Sequence, residues 1–217
     1  MLEKGIVYGI ALSCLIPFLI GGVLWFQGRL LFVAKILVVH TFVAFLFELI
    51  GIILASKGIH NLWLYRIYLY IEVVFPALFF GLYYKSNLRK MLAFFGCIIV
   101  IILTTVLNSY DDWGYHASFQ TGITFIYILF LILNYFIEMF QEEKVINPFK
   151  ELAFLVGSII LLSQSSSFFY NLLYNQLLDG YFGTSLHMTM EYVSIFLTIL
   201  YNLLYSYAIW VSRARLT

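Results

Sequence analysis

Seven apolar runs fill this chain from end to end, each about as long as the ~20 residues a helix needs to cross a bilayer. They fall at residues 5–26, 31–56, 63–84, 91–109, 117–140, 151–178 and 188–210. Short connections separate them and hold most of the charges: "QGR", "KGIHNL", "KSNLRK", "SYDDWGYH", "QEEKVINPFK" and "LDGYFGTSLH". With 63% hydrophobic and only 11% charged residues, too few polar side chains remain to cover a surface facing water. In lipid every backbone polar group needs an internal partner, so long apolar runs become helices. The expected fold is all-α: a polytopic membrane protein in which residues 1–217 form one bundle of seven transmembrane helices.

Other readings fall away quickly. A net charge of +1 gives no basic footprint for nucleic acid. Cys14 and Cys97 sit in apolar runs and read as packing residues. Glu3 and Lys4 cancel, and the first run is too long for a signal peptide core, so it reads as a retained span. Residues 188–210 contain no lysine, which excludes a retinal Schiff base on the last span. No Gly-x-Ser-x-Gly elbow surrounds "SQSSS" at 163–167.

Basic residues set the expected orientation. Arg29, Lys35, Lys85, Arg89, Lys90, Lys144, Lys150, Arg213 and Arg215 lie on one side, against Lys4, Lys57 and Arg66 on the other. Nine against three places the N-terminus outside and the C-terminus in the cytoplasm. Trp25, Trp63, Tyr83, Tyr84, Trp113 and Trp210 stand at span ends, as interfacial belts do.

The third run, "WLYRIYLYIEVVFPALFFGLYY", has a carboxylate at its centre. Leaving Glu72 unsatisfied in hydrocarbon costs at least a few kcal/mol. Pro76 has no N–H to give to the carbonyl of Glu72, so a free carbonyl and a carboxylate lie at one level. Polar residues recur at helical spacing elsewhere: Gln120, Thr124, Tyr127, Asn134 and Glu138 in the fifth span; Gln164, Ser167, Asn171 and Asn175 in the sixth; Glu191, Ser194, Thr198, Asn202 and Tyr205 in the seventh. Offsets of three, four, seven and eleven keep each set on one face, and such faces turn inward in a membrane bundle. Counting residues at about 1.5 Å each puts Glu72, Glu48, Asn171, Asn175 and Glu191 in the outer half. We expect these residues to form a polar pocket, with Tyr65 and Tyr68 lining it and His40 deeper, near mid-membrane. Taken singly, most Ser, Thr and Asn between membrane helices are packing contacts worth about 0.6 kcal/mol.

His60, His116 and His187 stand one to each outer loop or its edge, with Asp111 and Asp112 in the same loop as His116. Such a set would suit zinc if the loops converged, but its spacing matches no known motif, and separate solvated side chains are the simpler reading. Seven-helix zinc hydrolases carry His ligands within their spans; here only His40 lies inside one. No cofactor is expected. "KSNLRK" and "SRARLT" are basic and cytoplasmic in this orientation, suited to anionic lipid or to a cytoplasmic partner.

Three stretches together carry a resemblance: "HNLWLYRIYLYIEVVFPALFFGLYYKSNLRK" at 60–90, "FLVGSIILLSQSSSFFYNLL" at 154–173 and "YVSIFLTILYNLLYSYAIW" at 192–210. The pattern resembles small seven-helix proteins of Bacteroidota-type bacteria that look like sensor modules accompanying histidine kinases. Arg66 stands where that pattern has His before "IY", so no ligand is carried over. The resemblance implies a bacterial cytoplasmic membrane protein, and the outer-half pocket makes the leading expectation a module that binds a small ligand or senses pH or membrane state and is read by a cytoplasmic partner. A small-solute or proton-coupled transporter is the second expectation, kept by the fifth-span stripe reaching Glu138. An intramembrane metal-dependent lipid hydrolase is the third.

Overall fold

A computed structural model describes residues 2–111, 117–141, 147–179 and 184–213 of the protein, with side chains from residue 9 onward except those of Phe169, Leu178, Thr184 and His187. Seven long helices make up the described chain: α1 (Leu2–Phe26), α2 (Phe32–Ser56), α3 (Leu62–Tyr83), α4 (Asn87–Tyr110), α5 (Ser118–Gln141), α6 (Leu152–Leu178) and α7 (Thr184–Val211). All seven are long and apolar enough to cross a membrane. Among the described residues there is no strand, only an isolated bridge between Leu30 and Arg213.

The helix ends follow local chemistry. Gly28 and Gly58 take φ of 69° just beyond α1 and α2, a conformation that glycine adopts without strain, and so stop both helices. The fourth helix starts four residues before the expected position, because a neighbour caps it: the Ser86 N–H donates to Glu138 Oε1 at 2.9 Å and Arg89 pairs with the same oxygen at 3.4 Å. The negative carboxylate also suits the positive end of the helix.

Six helices form a ring. α1 packs on α2 and α7, α2 on α3, α3 on α5, α5 on α6, and α6 on α7, so the first and last helices close it. α4 lies outside the ring in the groove between α3 and α5. It accordingly buries a single stripe, Ala93, Cys97, Val100, Thr104 and Asn108. Its other faces expose Phe95, Ile98, Ile99 and Ile102. Similar apolar side chains cover α7 at Val193, Phe196 and Leu203. An apolar surface this extensive is a liability in water and the natural condition against lipid tails.

The core occupies the half of the ring near the start of α2 and the end of α3. Leu37, Val38, Phe79, Phe80, Tyr84, Ile132, Val156 and Ile209 are all buried there. Aromatic rings interlock through it, Phe75 with Phe79 at 5.6 Å and Phe80 with Tyr135 at 5.6 Å between centroids. At the same end Lys35 sits over the Trp25 ring and Arg213 over Trp210, at 5.4 and 4.0 Å. Basic groups anchored on tryptophan suit a membrane–water boundary.

Candidate functional site

The other half of the ring is hollow. A cavity of about 540 Å³ runs between α1, α2, α3, α5, α6 and α7, a size typical of small-molecule sites (~300–1,000 Å³). It begins at the end where α3 and α7 start: Asn61 and Leu62 line it there, as does the exposed Glu191. It ends past the middle of α3, at His40, Phe75 and Pro76. Beyond Phe75 the rings of Phe79, Phe80 and Tyr135 pack one on the next.

Seven of the eight expected binding residues line this one cavity: His40, Glu48, Tyr65, Tyr68, Glu72, Asn171 and Glu191. Asn175 does not. It is half-buried one turn further along α6, at the helix end where the cavity has already opened. The α6 face bearing Gln164, Ser167 and Asn171 and the α7 face bearing Glu191, Ser194, Thr198, Asn202 and Tyr205 both front it.

Each carboxylate is placed by its helix. Glu48 lies beside the Tyr65 hydroxyl across the α2–α3 contact. Gly51 makes that contact possible: a Cβ there would lie 3.0 Å from the Tyr65 hydroxyl, and the Gly51 carbonyl accepts from Asn61 Nδ2 at 3.1 Å. Glu72 is deeper and half-buried, near enough to Glu48 for the two charges to oppose one another. Among the described residues neither carboxylate has a cationic partner. His40 stacks on Phe75 at 3.9 Å between ring centroids, nearly parallel, and its buried Nδ1 has no hydrogen-bond partner. Across the cavity Asn202 donates to Ser13 Oγ at 2.9 Å, tying α7 to α1 beside Cys14.

A smaller cavity of about 170 Å³ lies between α6 and α7 and shares Ser163, Ser167, Tyr170, Ser194, Thr198 and Tyr201 with the large one. The exposed Ser166, Thr189 and Val193 line its outer side. Ser166 and Tyr201 hydroxyls are hydrogen-bonded within it at 2.7 Å.

One expectation is corrected. The fifth-span stripe does not front the cavity, which takes only Thr121 and Ile128 from α5. Gln120 and Tyr127 instead face α4, Tyr127 donating to the Ala93 carbonyl at 2.7 Å, and Asn134 donates to its own helix at Phe130. Glu138 caps α4 as described above. Arg66, counted from sequence with Lys4 and Lys57 on one side of the membrane, is buried. It is 2% exposed. Its Nη1 donates to Asn108 Oδ1 at 3.1 Å and lies 3.6 Å from Asp111 Oδ2. Gln120 Nε2 donates to both acceptors, and Asn108 Nδ2 donates to the Tyr70 hydroxyl at 3.1 Å. This network joins α3, α4 and α5 behind the cavity wall. Nothing in the sequence marked it, because Arg66 and Tyr70 of α3 stand 42 and 38 positions from Asn108.

Asp111 is thus engaged by Arg66 and Gln120 rather than by a metal-like set. His60 is exposed. Asp112 and His116 lie outside the described residues, as does the side chain of His187. Among the described residues no three His, Cys, Asp or Glu side chains gather as metal ligands. No family model matches the chain, and neither a curated protein nor a solved structure matches it.

Proposed function

We propose that the protein is a membrane receptor module in which the cavity takes up a small ligand and helix packing reports its occupancy. The observation that supports this is the shape and lining of the hollow half. Three carboxylates share a space that reaches one end of the ring and stops on a floor of packed aromatic rings. A binding site needs one entrance, whereas transport needs a route to both ends. Glu138, which would have marked the far end of such a route, is held by Arg89 and the Ser86 N–H. In this reading the N-terminus and the cavity mouth are extracytoplasmic and the end rich in Lys and Arg faces the cytoplasm.

α3 is the element suited to carry the signal. It bears Glu72 in the cavity and, within one turn further, begins the aromatic contacts of the opposite half. A ligand can shift helix packing only through a difference in affinity between two arrangements. Output then passes to a partner at the basic end, a histidine kinase being the class that the sequence resemblance suggests.

The test uses purified protein and a panel of small aromatic and polar solutes of each charge. At least one solute raises the thermal midpoint in detergent, Glu72→Gln reduces that shift, and the same solute does not accumulate in proteoliposomes. Accumulation above empty liposomes would replace the receptor reading with a transporter.

A further inference from the structure

Resting on the receptor reading, we propose that the cavity's ligand is an organic amine: an ammonium head attached to a compact apolar or aromatic body. Four features of the lining favour it. First, Glu48, Glu72 and Glu191 line the cavity, while among the described residues no Lys or Arg does. The negative charge therefore has no resident counterion, and a positive ligand supplies one. Second, the side chains between the carboxylates are rings, Phe47, Tyr65, Tyr68 and Phe75 among them. Aromatic faces attract cations as well as apolar bodies. Third, Glu72 stands at the inner end and close to Glu48, so a cation there is shared by two carboxylates. An anion would find two like charges there instead. Fourth, the volume of about 540 Å³ far exceeds what a bare metal ion fills, and no three-ligand metal group is present among the described residues.

The order of groups along the cavity describes how such a molecule is held. Glu191 stands at the mouth, where its charge raises the local concentration of cations. Glu48 comes next, beside Tyr65. Glu72 completes the inner end, beside the stacked rings of His40 and Phe75. Charge-assisted hydrogen bonds to an ammonium are roughly twice as strong as neutral ones, and two carboxylates around one cation relieve their mutual repulsion.

The experiment compares three molecules of like shape: 2-phenylethylamine, 2-phenylethanol and 3-phenylpropanoate. Binding to the purified wild-type protein is measured by calorimetry at neutral pH. The amine is expected to bind at least tenfold more tightly than the alcohol and the carboxylate. Glu48→Gln with Glu72→Gln lowers amine affinity at least tenfold and leaves alcohol affinity within threefold. Equal or tighter binding of the carboxylate would overturn the amine assignment, as would full amine affinity in a folded double variant. Because the comparison among the three compounds needs only wild-type protein, it stands even if the double variant does not fold. If the alcohol or carboxylate binds best and Ala44→Trp blocks it, the receptor reading survives and the amine falls. If none of the three binds, both fall.

Discussion

Arg66 brings a permanent charge to a site 2% exposed, where Asn108 accepts its hydrogen bond and Asp111 balances its charge. Removing one member of a buried network leaves the others unsatisfied, at about 1–3 kcal/mol. Arg66→Met should therefore lower unfolding stability by about that much, read as a reduced thermal midpoint in detergent. Arg66→Lys should recover part of it, because one nitrogen, Nη1, meets both acceptors and an ammonium keeps the charge. Glu72→Gln should behave oppositely. It keeps the side chain's shape and removes a charge that opposes Glu48, so the midpoint should be no lower than wild type. A clear drop would mean that the Glu72 charge is bound to something stabilising. The two cases show what a sequence can say about a charged residue in a span. Glu72 announces a polar neighbourhood because a carboxylate among Ile71, Val73 and Val74 has no other explanation. Arg66, one turn inside a span end, is indistinguishable from an interfacial charge until Asn108 and Gln120 are brought to it by folding.

Helical spacing told which residues share a face but not which neighbour that face meets. On α6 and α7 the inward face and the cavity coincide, so Gln164, Ser167, Asn171 and the Glu191–Tyr205 stripe were legible. On α5 the polar face meets α4, which sits outside the ring, and Gln120 and Tyr127 became packing and network residues. No periodicity predicts that the fourth of seven helices lies outside. Close helix approach is a property of the same scale. A Cβ on Gly21 of α1 would overlap the Val38 side chain of α2. Gly21→Ala should cost about 1–3 kcal/mol through overpacking. Adding Val38→Ala should return part of that loss, since residues in contact couple in a double-mutant cycle. Strict additivity of the two substitutions would show that the helices do not meet there.

The whole molecule is two halves stacked along one ring of helices, an aromatic-packed half and a hollow acidic half, joined through α3. The span positions were legible because the bilayer leaves so few alternatives for apolar runs of this length. The convergence of Glu48 and Glu72 was legible too, from depth alone. The closed floor was not, because Phe75, Phe79 and Phe80 read the same whether they face lipid or one another. The receptor reading rests on that floor being closed, and thiol accessibility tests it most directly. In a Cys14→Ser, Cys97→Ser background, single cysteines at Ala44 in the cavity and Phe79 beneath it are exposed to a membrane-impermeant, positively charged thiol reagent. The account predicts that Ala44→Cys reacts when the reagent is applied from the side bearing the start of α3 and not from the other side, while Phe79→Cys reacts from neither. Labelling of Ala44→Cys from both sides, or of Phe79→Cys from the basic end, would contradict a cavity with a single mouth.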